Sequence, residues 1–119
     1  MTGPADWTQS SAGIAFQKCH RCSHVWYFRR DFCPACGGSE PQTLASLGTG
    51  TVYACTLVHR APTDEFRALA PYRIVLVEID DGFRMMGHGE PALALGDRVS
   101  CSFRPLADRL LPYFQKERV

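Results

Sequence analysis

Cys19-His20-Arg21-Cys22, then ten residues, then Cys33-Pro34-Ala35-Cys36-Gly37-Gly38: this stretch decides how the first third of the chain folds. A Cys-x-x-Cys turn places two thiolates on one side of a tight loop, with backbone amides pointing at sulfur. Two such turns facing each other supply four ligands in a tetrahedron, the arrangement that suits Zn2+. Gly37 allows the left-handed backbone that follows the second cysteine of such a knuckle, and Pro34 stiffens the turn. Ser23 stands at the matching position of the first knuckle, so the sequence leaves that turn's geometry open. Four thiolates close the coordination sphere, which makes the expected site structural rather than hydrolytic. His20 and His24 are read as knuckle residues facing solvent.

Between the knuckles, Ser23 to Phe32 includes Val25, Trp26, Tyr27 and Phe28, strand material that returns the chain to the second pair. This is the pattern of a zinc ribbon. So small a piece cannot bury a core of its own, and metal binding is expected to supply its folding energy. A redox dithiol would need only one cysteine pair, and paired disulfides would need an oxidising compartment.

At 119 residues and 45% hydrophobic, the chain has room for this module and one modest domain. No apolar run approaches the ~20 residues that span a bilayer. Met1 to Ala15 lacks both a basic start and an apolar stretch, so no signal peptide is read and a cytoplasmic, reducing location is expected. Net charge is +1, spread as four basic and three acidic groups over residues 1–41 and nine of each over 42–119. A groove that tracks a phosphate backbone needs a basic surplus, and none stands out.

Beyond the knuckles, residues 37–50 read as a turn-rich junction, followed by short β-branched and aromatic runs. Strands are expected over Thr51–His59, Tyr72–Asp80 and Phe83–His88, with an Asp81-Gly82 hairpin joining the last two. Leu95-Gly96-Asp97 is a further turn into a strand carrying Val99, Cys101 and Phe103, and Leu110–Gln115 completes the set. Cys55 and Cys101 fall at alternating strand positions and are read as packing residues. Five strands with almost no helical periodicity predict a small closed barrel; an OB-type barrel fits, and an SH3-like one fits nearly as well. The division expected is a short N-terminal segment (1–15), a zinc ribbon (16–41) and the barrel domain (42–119).

Taken in order, several stretches resemble one family: Cys19-x-x-Cys22, Phe32-Cys33-Pro34-x-Cys36-Gly37, Gly50-Thr51-Val52-Tyr53, Thr56-x-Val58-His59-Arg60-Ala61-Pro62, Ala70-Pro71-Tyr72, Leu76-Val77-Glu78-Ile79 and Leu95-Gly96-Asp97-Arg98-Val99. It comprises small bacterial and archaeal proteins with a rubredoxin-like zinc ribbon followed by an OB-fold associated with acyl-CoA metabolism. The resemblance implies a mainly β chain, a structural zinc and an accessory role beside a thiolase-like enzyme or hydratase that holds the catalytic residues. Members commonly begin with helices proposed to hold the CoA tail. Here about fifteen residues precede the ribbon, with Gly3, Pro4 and Gly13 among them, which favours an obligate subunit over an independent CoA binder.

Three functions follow for comparison. As an accessory subunit, the chain would use Trp26, Tyr27, Phe28 and Phe32, with Arg29 and Arg30, as an interface patch; the same aromatics could instead cover the ribbon core. Arg29 and Arg30 are candidates for a CoA phosphate, and His59, Arg60, Phe66 and Tyr72, around the first barrel loop, for contacts to the partner or the acyl chain. As a single-stranded nucleic-acid binder, it would offer Tyr53, Phe83 and Phe103 as stacking faces, against its charge balance. As a stand-alone enzyme, it would rest on Glu78, Asp80 and Asp81, with no base or nucleophile beside them.

Overall fold

The computed structural model describes residues 4–59, 72–106 and 109–117. Among these residues are one 3-10 turn, Trp7–Gln9, and eight strands: β1 (Ile14–Lys18), β2 (Val25–Trp26), β3 (Gln42–Ser46), β4 (Thr49–Val58), β5 (Tyr72–Ile79), β6 (Phe83–Gly89), β7 (Arg98–Leu106) and β8 (Arg109–Lys116). Among the described residues no helix is long and apolar enough to cross a membrane.

The last five strands close a barrel in the order β4-β5-β6-β8-β7, and β7 returns to β4. All pairings are antiparallel except β6 with β8, where His88 pairs with Tyr113 and Gly89 with Phe114 in parallel register. That parallel pair, with the order 1-2-3-5-4 counted within the barrel, is the OB topology and separates it from the SH3-like alternative. Alternation fixes the inside. Val75, Val77 and Ile79 of β5, Phe83 and Met85 of β6, Val99 of β7 and Phe114 of β8 are buried.

Closing so small a barrel demands tight bends. At Gly50, which pairs with both Ile79 and Val99, a Cβ would lie 2.3 Å from the Glu78 carbonyl oxygen. Only glycine lets β4 curl there between two neighbours. Two residues on, the register shifts between Val52 and Ala54, a bulge that throws Tyr53 outward. The expected hairpin after β5 is present: Gly82 has φ 108, and its amide donates to the Ile79 carbonyl.

The expected junction at 37–50 is more ordered than a turn-rich reading suggests. Residues 42–46 form β3, which pairs with β1 from Ile14↔Ser46 to Lys18↔Gln42, while β2 takes the other edge of β1. A two-residue strand such as β2 cannot sustain a sheet, so the ribbon recruits the chain on both sides of the knuckles. This sheet shares one apolar core with the barrel. Ile14 and Phe16 pack with Phe83, whose ring is 5.2 Å from Phe16 and from Tyr27, the latter nearly parallel. The Tyr27 hydroxyl accepts from Trp7 Nε1, and burial pushes the Tyr27 phenol up to about 12.

Candidate metal centre and barrel-mouth groove

The two knuckles are near copies of each other. Cys19 N–H donates to the His24 carbonyl and Ser23 N–H to the Cys19 carbonyl; Cys33 N–H donates to Gly38 and Gly37 N–H to Cys33, all between 2.8 and 2.9 Å. Ser23 has φ 65 and Gly37 φ 76, so the serine adopts the glycine's conformation and the first knuckle keeps the geometry of the second. Amides of Arg21 and Cys22 point at Cys19 Sγ, and those of Ala35 and Cys36 at Cys33 Sγ, at 3.3 to 3.5 Å.

The four Sγ atoms lie within 4.8 Å of one another, with Cys19–Cys36 and Cys22–Cys33 at 3.6 Å. A tetrahedron with metal–sulfur bonds of about 2.3 Å has edges of about 3.8 Å, so the quartet fits one ion. Electrostatics favour the charged form of the inner pair. The amides of Cys22 and Arg21 bring the Cys19 thiol down to about 6. Burial opposes ionisation of Cys33, but the Cys36 and Ala35 amides outweigh it, and that thiol is lowered too. Cys22 moves the other way, to about 12: the His24 amide lowers it, while burial and the neighbouring sulfurs prevail. Four sulfurs this close can share protons or hold one cation, and the amide-rich turns suit the cation.

Cys19 and Cys33 are buried, and beside them Trp26 fills the ribbon's interior at 8% exposure. Its Nε1 donates to Gln17 Oε1, which also accepts from the Arg30 amide. Trp26 therefore sits beneath the surface, whereas Phe28 and Phe32 are 65% and 59% exposed. Arg29 pairs with buried Asp6 at 3.3 Å, and the Arg30 side chain is exposed.

The barrel candidates divide. His59 is exposed at the end of β4, while Arg60 and Phe66 lie outside the described residues. Tyr72 lies half-buried against His88, ring on ring at 4.7 Å and 7°. It borders a groove of about 440 Å³ at the barrel mouth, far from the cysteines in sequence and formed by β4 to β8. Residues not singled out from sequence complete it: Arg73, His88, Arg104, Leu111 and Tyr113. Arg104 lies 3.6 Å over the Tyr113 ring, and Tyr113 is in register with His88. Burial holds the His88 imidazole below its ordinary value. The alternation of β7 and β8 would have placed Arg104 and Tyr113 on one face, but only the parallel β6–β8 pairing brings them to His88.

The acidic cluster is committed elsewhere. Asp80 takes both Arg98 Nη atoms at 2.8 and 2.7 Å, and that guanidinium holds its carboxyl below the usual range. Asp81 accepts from Ser46 Oγ, and Glu78 stands opposite Arg84. Cys55 and Cys101 pack against the shared core, and burial pushes the Cys101 thiol up to about 12.

Comparison with known proteins places these features in context. Residues 44–104 match the family described as ChsH2, C-terminal OB-fold domain. A DUF35 domain-containing scaffold protein of Methanothermobacter thermautotrophicus is 29% identical over 76% of this chain and 71% of its own length. A second scaffold protein of that description, from Methanocaldococcus jannaschii, is 37% identical over 59% of this chain and 50% of its own. A probable enoyl-CoA hydratase alpha subunit of Thermomonospora curvata is 32% identical over 61% of this chain, which spans only 22% of that subunit. Among solved structures, a chain of the Ltp2-ChsH2(DUF35) aldolase superposes with TM-score 0.75 at 25% identity, over 92% of this chain and 87% of that one. A DUF35 protein of unknown function from Sulfolobus solfataricus shares the fold, with TM-score 0.61 at 17% identity, over 93% of this chain and 79% of that one.

Proposed function

The chain belongs to the ChsH2 C-terminal OB-fold family, and from that premise we propose that it is a non-catalytic, zinc-bearing accessory subunit of an acyl-CoA-processing enzyme. The observation that carries this reading is the superposition on a chain of the Ltp2-ChsH2(DUF35) aldolase along 92% of this chain, ribbon and barrel together. The hydratase-subunit relative and the two scaffold relatives support the same direction. The partner we propose is a thiolase-type enzyme, in the cytoplasm, with the acyl-CoA held where the two proteins meet.

In this role Cys19, Cys22, Cys33 and Cys36 would hold Zn2+, which supplies cross-linking and folding energy to the ribbon. The chain's own residues do the rest. Trp26 and Gln17 set the ribbon's interior, Tyr27 fastens it to Phe83 of the barrel, and Phe28 and Phe32 are left facing outward beside Arg30. Exposed aromatics next to a guanidinium make the kind of anchor that buries well in a partner. Asp6 restrains Arg29, which leaves Arg30 the freer of the two cations for a partner or a phosphate.

The test is affinity capture of the tagged chain from its native extract, with the captured protein identified and assayed with acyl-CoA. The expected result is a stoichiometric thiolase-type partner. Salt-sensitive recovery of nucleic acid in its place would contradict the proposal.

A further inference from the structure

The groove at the barrel mouth is unassigned by the comparisons and differs in character from the rest of the surface. Its rings form a ladder across neighbouring strands: Tyr72 of β5 stacks on His88 of β6, His88 neighbours Tyr113 of β8, and Tyr113 carries Arg104 of β7 on its face. Leu57, Pro91 and Leu111 supply apolar walls. Among the described residues two guanidiniums line the space and no carboxylate does. One of them is under-used: among the described residues Arg73 Nε is buried with no hydrogen-bond partner, and Arg73 Nη1 donates to Cys55 Sγ at 3.5 Å. Burying a guanidinium N–H unpaired is costly, and an anion in the groove would relieve that cost.

Flat rings beside cations select a ligand that is itself flat and anionic. Aromatic side chains stack on a base, and guanidinium forks match phosphate oxygens. The volume lies in the range of small-molecule sites. Two cations suit one nucleotide; a run of phosphates would need a basic surplus that a chain of net charge +1 lacks.

We propose that this groove binds a single purine nucleotide, its base against the Tyr72–His88–Tyr113 ladder and its phosphate on Arg73 and Arg104. The adenosine phosphate end of coenzyme A belongs to this class. That source rests on the accessory-subunit reading, whereas the site itself does not: the groove can bind nucleotide in a chain that has no acyl-CoA partner, and a partner can dock on a chain whose groove binds nothing.

The experiment is calorimetric titration of the zinc-loaded full-length chain with adenosine 3′,5′-bisphosphate, AMP, hexanoate and a single-stranded oligoadenylate. The two mononucleotides are expected to bind, weakening as salt rises. Arg73→Met, Arg104→Met and Tyr72→Ala are each expected to weaken them roughly tenfold, and Arg84→Met, which removes a cation outside the groove, to leave them within about twofold. Circular dichroism melts check that each variant is folded; an unfolded one is replaced by Arg→Lys or Tyr→Leu at the same position. Three results would overturn the proposal: no mononucleotide binding at millimolar concentration, binding that the folded groove variants leave unchanged, or tighter binding of hexanoate or oligoadenylate than of the mononucleotides.

Discussion

Ser23 has a backbone angle, φ 65, that side chains generally avoid, and it does so to keep the first knuckle in the geometry Gly37 gives the second. Ser23→Gly should therefore stabilise the ribbon, by about 0.5–1 kcal/mol, read as a higher melting temperature of the zinc-loaded protein. Cys33→Ser removes a buried thiol whose sulfur accepts from two amides. Metal content by mass spectrometry should fall well below one ion per chain, and amide exchange across the knuckles should become fast. At Gly50 an added methyl group meets backbone rather than a side chain that can move. Gly50→Ala should cost about 2 kcal/mol or more in urea unfolding. The cysteine quartet was legible because its chemistry is local: spacing alone puts the sulfurs together. Trp26 was less so, since an aromatic run does not say which ring turns inward; the answer depends on Gln17, nine residues earlier, accepting its indole N–H.

At the scale of elements, the seam between ribbon sheet and barrel is held by Phe16, Tyr27 and Phe83, with the Trp7 indole on the Tyr27 hydroxyl. Burial raises the Tyr27 phenol from 10.0 to about 12, so the folded state prefers it neutral. That preference is fully present below pH 10 and is lost as pH rises from 10 towards 12. Tryptophan fluorescence should report loosening in that window, and Tyr27→Phe should flatten its part of the pH dependence. The Cys101 thiol, also raised by burial, titrates in the same direction and is unaffected by that variant. The strands of the barrel were readable from alternation and turn residues to within one or two positions. β3 was not, because Gln42–Ser46 is neither strongly apolar nor β-branched throughout and becomes a strand by pairing with β1. The groove was hidden for a related reason. Arg73, His88, Arg104 and Tyr113 sit on four strands, and only barrel closure brings them together.

For the whole molecule, Ile14 and Phe16 of β1 belong to the barrel's core while Cys19, Trp26 and Cys33 form a second cluster, so ribbon and barrel are coupled through that sheet. Removing metal with a chelator should leave exchange protection in β5, β6 and β8, whose contacts with one another do not involve the cysteines, while lowering the melting temperature of the entire chain. Fold, cysteine cluster and family were within reach of the sequence, because motif spacing and strand pattern carry them. The identity of the partner enzyme was not, because exposed side chains such as Phe28, Phe32 and Arg30 do not say what surface they meet. The most direct measurement is acyl-CoA turnover by the proposed thiolase-type partner alone, by this chain alone, and by the two mixed in equal amounts. The account predicts turnover only in the mixture, and its loss when Cys33→Ser replaces the native chain. Turnover by this chain alone, or by the partner at the same rate without it, would contradict the account.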